Sequence, residues 1–340
     1  MTMPGTSAAP EPDPGMIFDT LNAYQRSVAL KAAIELDVFT EVARGSRSAE
    51  AIAKAVKASS RGIRILCDYL VISGFLAKSG EEYSLTVNSA TFLDRSSPAY
   101  FGSIAKFLLD PRMIAPFLNL TDVVRNGTTT LPGDGTVSHD NPIWVDFARQ
   151  MAPMVIPGAG EVAELVAGDG EVRVLDIAAG HGLYGIMIAK QNPKAQITAL
   201  DWPNVLAVAT ENAAKFGVAD RHRLLPGDAF EVEFGGPYDV VMVTNFFHHF
   251  DPPTCAGLMR KIRASLAPGG RCVTLDFVPN DDRVSPPMAA GFAMMMLGTT
   301  AAGDAYTFAE YERLFGEAGF ASSESHALHR AVQTMIVSKA

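Results

Sequence analysis

At 340 residues the chain is long for one domain and comfortable for two. Apolar residues make up 48% and charged residues 19%, enough to bury a large core. The formal net charge of −9, with no local cluster of Lys and Arg, excludes a general attraction to nucleic acid or to an anionic membrane.

Residues 1–15 are Pro-rich and lack the basic and apolar segments of a signal peptide, so a disordered tail is expected there. No apolar run approaches the ~20 residues of a membrane span. Cys67, Cys255 and Cys272 are far apart and lack metal-ligand spacing, so neither a disulfide framework nor a metal site is expected. Together these features predict a cytoplasmic protein.

Residues 16–98 read as a winged-helix-like domain. Apolar positions at Leu21, Tyr24, Val28, Leu30, Ala33 and Ile34 predict one helix over Met16–Ala43. A second helix runs from Ser48 to Val56, and Ser59 or Ser60 can cap a third that carries Ile63, Leu66, Leu70 and Val71. Two short runs around Ser79-Gly80 predict a hairpin. The third helix holds Arg61, Arg64 and Asp68 but no dense basic face, so packing against a partner subunit is expected there rather than DNA binding. Residues 99–170 are mostly helical, broken at Pro111, Pro116, Gly133 and Pro142, and are expected to cover a substrate. The amphipathic stretch from Trp144 offers Phe147 and Met151 to a pocket.

From residue 171 to 340 apolar runs alternate with helical segments, from Val172–Ala178 through Arg271–Val278. That alternation predicts an α/β fold with a doubly wound, Rossmann-like parallel sheet. Ser322–Leu328 and Val332–Ser338 lie close in sequence and should close it to seven strands as an antiparallel hairpin.

The turn after the first strand of this sheet reads Asp176-Ile177-Ala178-Ala179-Gly180-His181-Gly182-Leu183-Tyr184-Gly185. Gly180 and Gly182 allow a tight turn and close approach to a ligand, at the sheet edge where doubly wound folds bind. The spacing also satisfies the dinucleotide fingerprint, so NAD must be weighed. Asp176 points instead to S-adenosylmethionine, because a carboxylate there can hold the ammonium of a methionine moiety but would repel pyrophosphate. Asp228-Ala229-Phe230, after the third strand, suits the amine and ring of adenine. Asp201 ends the second strand and can take ribose hydroxyls of either cofactor. Methyl transfer to a phenol or enol also needs a base near neutral pH, for which histidine is suited. His248 and His249 follow the fourth strand, and Asp276 ends the fifth.

With these motifs the chain resembles class I methyltransferases, and more narrowly the small-molecule O-methyltransferases of the caffeic acid and hydroxyindole type. The resemblance implies S-adenosylmethionine as cofactor and a homodimer built on the N-terminal region. It implies cofactor contacts at Ala178, Gly180, Asp201, Asp228 and Ala229, with Phe250 packed on adenine. The stretch Leu200–Val205 resembles the family's Asp-Leu-Pro-x-Val segment, and Trp202 within it and Asn245, in the segment that leads to the histidines, are also expected at the cofactor. His248 matches the family's general base, His249 the adjacent Asp, and Asp276 a Glu that orients the base. A second family Glu is replaced by Ala305, with Asp304 beside it as a possible substitute. The apolar helix around Phe292, Met295 and Met296 falls in the family's acceptor-pocket region, and His249 is also expected to face the acceptor. The expected reaction is O-methylation of a small aromatic or polyketide-like metabolite. Alternatives are C- or N-methylation, other S-adenosylmethionine chemistry, an NAD-dependent oxidoreductase, and a metabolite-sensing winged-helix regulator.

Overall fold

A computed structural model describes residues 12–138 and 141–340, so most of the expected N-terminal tail lies outside the described residues. The chain divides into two compact units at Leu109 and Asp110.

The first unit comprises helices α1 (Gly15–Glu35), α2 (Val38–Ala43), α3 (Ala49–Val56) and α4 (Ser60–Ile72), a hairpin of β1 (Leu76–Ser79) and β2 (Glu82–Leu85), then α5 (Val87–Phe92) and α6 (Ile104–Leu108). Ser48 and Ser59 cap α3 and α4 by accepting from Ala51 N–H and Gly62 N–H; the Ser59 cap is as expected, and Ser48 precedes its helix as the cap and is not its first residue. The single helix expected over Met16–Ala43 is two helices. Asp37 adopts a left-handed φ of 59° that ends α1, a conformation its short polar side chain tolerates, and its carboxylate pairs with Arg95. Phe39, Ile52, Ile63, Leu70 and Tyr83 form the core of the unit. Met16, Ile17, Phe18, Leu21 and Tyr24 on α1 stay between 60% and 72% exposed. Arg64 and Lys78 both bind Asp68, which also accepts from the Tyr83 hydroxyl, so these two basic groups are paired within the unit.

The second unit opens with α7 (Pro111–Leu118), α8 (Leu120–Asn126) and the long α9 (Ile143–Val166). There follow β3 (Val172–Ile177), α10 (Leu183–Gln191), β4 (Ala195–Asp201), α11 (Pro203–Lys215), β5 (His222–Pro226) and β6 (Tyr238–Thr244). The chain ends with α12 (Pro252–Ser265), β7 (Leu266–Asp276), α13 (Pro287–Thr299), α14 (Phe308–Glu317), β8 (Ser322–Ala327) and β9 (Thr334–Lys339). The sheet order is β5-β4-β3-β6-β7-β9-β8; β3 to β7 run parallel, and β9 is antiparallel to both its neighbours. This is the doubly wound α/β sheet with a C-terminal hairpin that the sequence predicts.

Both faces of the sheet are buried, which is why β6 is a continuous apolar run. Val241 and Val243 face a core with Leu258, Ile262 and Phe315; Val240 and Met242 face another with Val162, Val166 and Ile186. The chain leaves β3 in one direction through β4 and β5, then returns to lay β6 on its other side. That reversal opens a crevice at the carboxyl ends of the strands. Among the described residues no helix is long and apolar enough to cross a membrane.

Candidate active site

A cavity of about 480 Å³ opens at that crevice. The ends of β3 and β4 supply Ala178, Gly180, Asp201 and Trp202 to its wall. The segments after β5 and β6 supply Asp228, Ala229 and Phe230, then Asn245, His249 and Phe250. Phe147 of α9 lines it too. Ala178 and Asn245 both hold φ near 52°, a conformation costly for a residue with a side chain, at the two strand ends bordering the cavity.

The three glycines of the turn have different duties. A Cβ on Gly180 would meet only Ala178 O, at 3.9 Å, so this position opens to the cavity. A Cβ on Gly182 would lie 2.9 Å from Ala209 Cβ, and one on Gly185 2.6 Å from Ile197 Cγ2. Gly182 and Gly185 therefore let α10 pack close to α11 and β4, and Gly182 does not line the cavity.

Asp201 accepts from Gly180 N–H at 2.8 Å and Trp202 N–H at 2.7 Å, which ties the turn to the end of β4. Burial still raises its carboxyl to about 6, against the pull of those two amides. Asp176 is not in the cavity wall. One of its oxygens accepts from Gly185 N–H at 3.2 Å, while Oδ1 is buried without a partner. Burial raises this carboxyl to about 7. An orphaned carboxylate oxygen under the glycine turn, acids at or just past the ends of β4 and β5, and Phe230 set edge-on to Phe250 at 4.8 Å together fit a nucleoside that carries an amino acid, such as S-adenosylmethionine.

His248 and His249 sit on a short 3-10 turn, Phe247–His249, with ring centroids 4.3 Å apart. His248 Nδ1 lies 2.5 Å from Asp276 Oδ1. Asp276 Oδ1 also accepts from Phe277 N–H at 2.8 Å, and Oδ2 accepts from the Tyr311 hydroxyl at 2.7 Å. His248, Asp276 and Tyr311 are all essentially buried. His248 does not line the cavity; His249, beside it, does, and its Nδ1 is buried without a partner. Burial, and then the neighbouring His248, lower the basicity of His249 well below the ordinary imidazole range.

Several expected residues fall elsewhere. Met151, Met295 and Met296 do not line the cavity, and Met296 is buried in packing. Phe292 is also absent from its wall; its ring stacks on Phe277 at 4.0 Å and stands edge-on to His248 at 4.8 Å. Asp304 does not supply a second acid to His248. Its carboxylate faces Arg283 at 3.4 Å and takes Ala305 N–H, and its own N–H donates to the His248 carbonyl. Sequence reasoning did not single out Trp144 and Tyr184, which line the cavity, or Tyr311. Tyr311 sits on the apolar face of α14 like any core aromatic, with nothing to signal a hydroxyl contact to Asp276.

Residues 136–321 match the O-methyltransferase domain family, over half the chain, and residues 18–95 match the O-methyltransferase dimerisation domain. The chain belongs to the O-methyltransferase family. It is thus an S-adenosylmethionine-dependent methyltransferase, and the glycine fingerprint does not denote NAD. This O-methyltransferase is 28% identical to the tetracenomycin polyketide synthesis 8-O-methyltransferase of Streptomyces glaucescens, over 90% of this chain and 91% of that protein. A crystal structure from Nostoc punctiforme, assigned as an O-methyltransferase, is 49% identical, covers 97% of this chain and 100% of its own, and superposes with a TM-score of 0.94. Human N-acetylserotonin methyltransferase, solved with S-adenosylmethionine, shares the fold at 22% identity and a TM-score of 0.84, covering 98% of this chain and 99% of its own.

Proposed function

We propose that His248 is the general base of this O-methyltransferase and that its acceptor is a hydroxyl of a small aromatic or polyketide-like metabolite. The observation that carries this reading is the buried 2.5 Å contact between His248 Nδ1 and Asp276. An imidazole that donates from Nδ1 to a carboxylate presents the lone pair of Nε2, the arrangement a base requires. Asp276 orients the ring and does not touch the acceptor. S-adenosylmethionine supplies an electrophilic methyl group on a sulfonium. The chain would align it: Asp201 would take the ribose hydroxyls, Asp228 and Ala229 the adenine edge, Phe250 would pack on the adenine ring with Phe230 edge-on beside it, and Asp176 would lie on the ammonium side. Gly180, Ala178, Trp202 and Asn245 shape the wall around it, and Gly182 gives the turn its close packing.

Phe147 and His249 would face the acceptor, with Phe292 closing over His248. Met151, Met295 and Met296 would act by supporting that wall from behind. The polyketide substrate in the name of the Streptomyces relative favours a fused, flat acceptor, as does the aromatic wall of Trp144, Phe147 and Phe246.

The dimerisation match and the exposed apolar face of α1 support a homodimer assembled through residues 16–98, with 99–170 covering the acceptor and 171–340 binding the cofactor. The internal pairing of Arg64 and Lys78 argues against a nucleic-acid partner. Three unpaired buried cysteines suit a reducing cytoplasm. Incubation with labelled methyl donor and a set of phenols, naphthols and polyhydroxylated polyketides tests the reaction. His248→Ala is expected to lose at least about a hundredfold in kcat while retaining S-adenosylhomocysteine binding. Full turnover in that variant would remove His248 from the base role.

A further inference from the structure

We infer that Tyr311 is a positioning residue for methyl transfer, the third member of a buried chain His248–Asp276–Tyr311. The inference rests on His248 being the base and concerns what holds that base in place. Asp276 divides its oxygens: Oδ1 receives His248 Nδ1 at 2.5 Å and Phe277 N–H at 2.8 Å, and Oδ2 receives the Tyr311 hydroxyl at 2.7 Å. Without Tyr311, Oδ2 would be a carboxylate oxygen in a fully buried site with nothing to accept from. A carboxylate so placed can turn about its Cβ–Cγ bond, sharing Phe277 N–H and the imidazole between its two oxygens, and lose its hold on the ring orientation.

Apart from His248 and Tyr311, no side chain among the described residues donates to Asp276. Ala305 has no polar side chain, and the Asp304 carboxylate is taken by Arg283 and Ala305 N–H. Tyr311 is itself fixed. Helix α14 begins with a reciprocal cap between Thr307 and Glu310, and Glu310 also binds Arg283 at 2.6 Å. The Tyr311 ring is wedged among Phe247, Tyr306 and Phe315, at centroid distances of 5.9–6.4 Å. Burial, and then the nearby Asp276, push its hydroxyl well above the ordinary phenol range, so it remains a donor.

The test is Tyr311→Phe, which keeps the ring and removes the donor. In the full-length protein labelled with nitrogen-15 histidine and bound to S-adenosylhomocysteine, the His248 imidazole signals are identified by their loss in His248→Ala. Tyr311→Phe is expected to shift them away from the pattern of a proton held on Nδ1. It should lower kcat at least about tenfold, as loss of an orienting hydrogen bond does elsewhere, with S-adenosylhomocysteine affinity unchanged. Imidazole signals and kcat both matching wild type would overturn the inference. So would a loss of activity that follows a matching loss of cofactor affinity with the imidazole signals unmoved. If Tyr311→Phe does not fold, 3-fluorotyrosine at position 311 tunes the same donor while keeping the ring and hydroxyl; an unchanged imidazole spectrum and kcat there would overturn it equally. Wild-type turnover by His248→Ala would instead strike at the base assignment beneath it.

Discussion

A carboxylate walled in beneath a glycine turn loses its water, and Asp176 Oδ1 receives nothing in return. Its carboxyl is raised from an ordinary 3.8 to about 7, so the folded protein binds a proton there that the unfolded chain releases. Native stability is therefore greatest below about pH 4 as far as this group is concerned. It falls as pH rises towards about 7, by a total on the order of 4 kcal/mol, and then levels off. A cation brought to Oδ1 reverses the preference. Binding of S-adenosylhomocysteine near pH 6 is thus expected to release protons, seen as a dependence of calorimetric heat on the ionisation enthalpy of the buffer. Asp176→Asn should reduce that release, leaving the part due to Asp201, and an unaltered release would separate Asp176 from the cofactor. At this scale the acids Asp176, Asp201 and Asp228 were legible in the sequence because each lies at or just past the end of a predicted strand. Tyr311 was not, because its hydroxyl meets a residue 35 positions away through packing of α14 on the sheet.

Elements translate such residues into a site. The turn from β3 to α10 carries glycines that look equivalent in sequence, yet their surroundings separate them. Gly185→Ala would drive a methyl into Ile197, 2.6 Å away, and is expected to cost about 1–3 kcal/mol, read as a lowered melting temperature. Gly180→Ala has no such clash, but its φ of 57° costs a side chain about 1–2 kcal/mol, and the added methyl opens toward the cavity. It should weaken S-adenosylhomocysteine binding far more than Gly185→Ala does. Equal effects of both variants on affinity would contradict this division. Helix starts were readable at α4 and α14, where Ser59 and Thr307 supply caps, but not at α5, whose Thr86 cap opens a helix too short to show a period. The break at Asp37 was not, because no Gly or Pro marks it and only tertiary pairing with Arg95 accompanies the left-handed residue. Helix α13 shows the opposite limit. It is apolar all round, so its sequence did not say that Phe292 would face His248 while Met296 turned into the core.

At the scale of the whole molecule, the first unit carries an exposed apolar helix face. Ile17, Leu21, Tyr24 and Val28 recur every three to four residues on α1 and remain exposed. This apolar stripe is long enough to seed association. The protein is expected to sediment as a dimer, and Leu21→Glu with Tyr24→Glu to yield monomers; a monomeric wild type at micromolar concentration would exclude assembly through α1. What the sequence alone determined was the class of fold and the cofactor. Alternation of apolar runs and the residue types at strand ends are local properties, and a parallel sheet turns each strand end into the same edge. The tertiary structure decided which residues meet there. Asp276 and Tyr311 come to His248, and Asp304 turns to Arg283 instead, because these contacts depend on how α14 and the segment before it pack on the sheet. Periodicity reports which face of a helix is buried, but not which side chain across the core its polar atom will find.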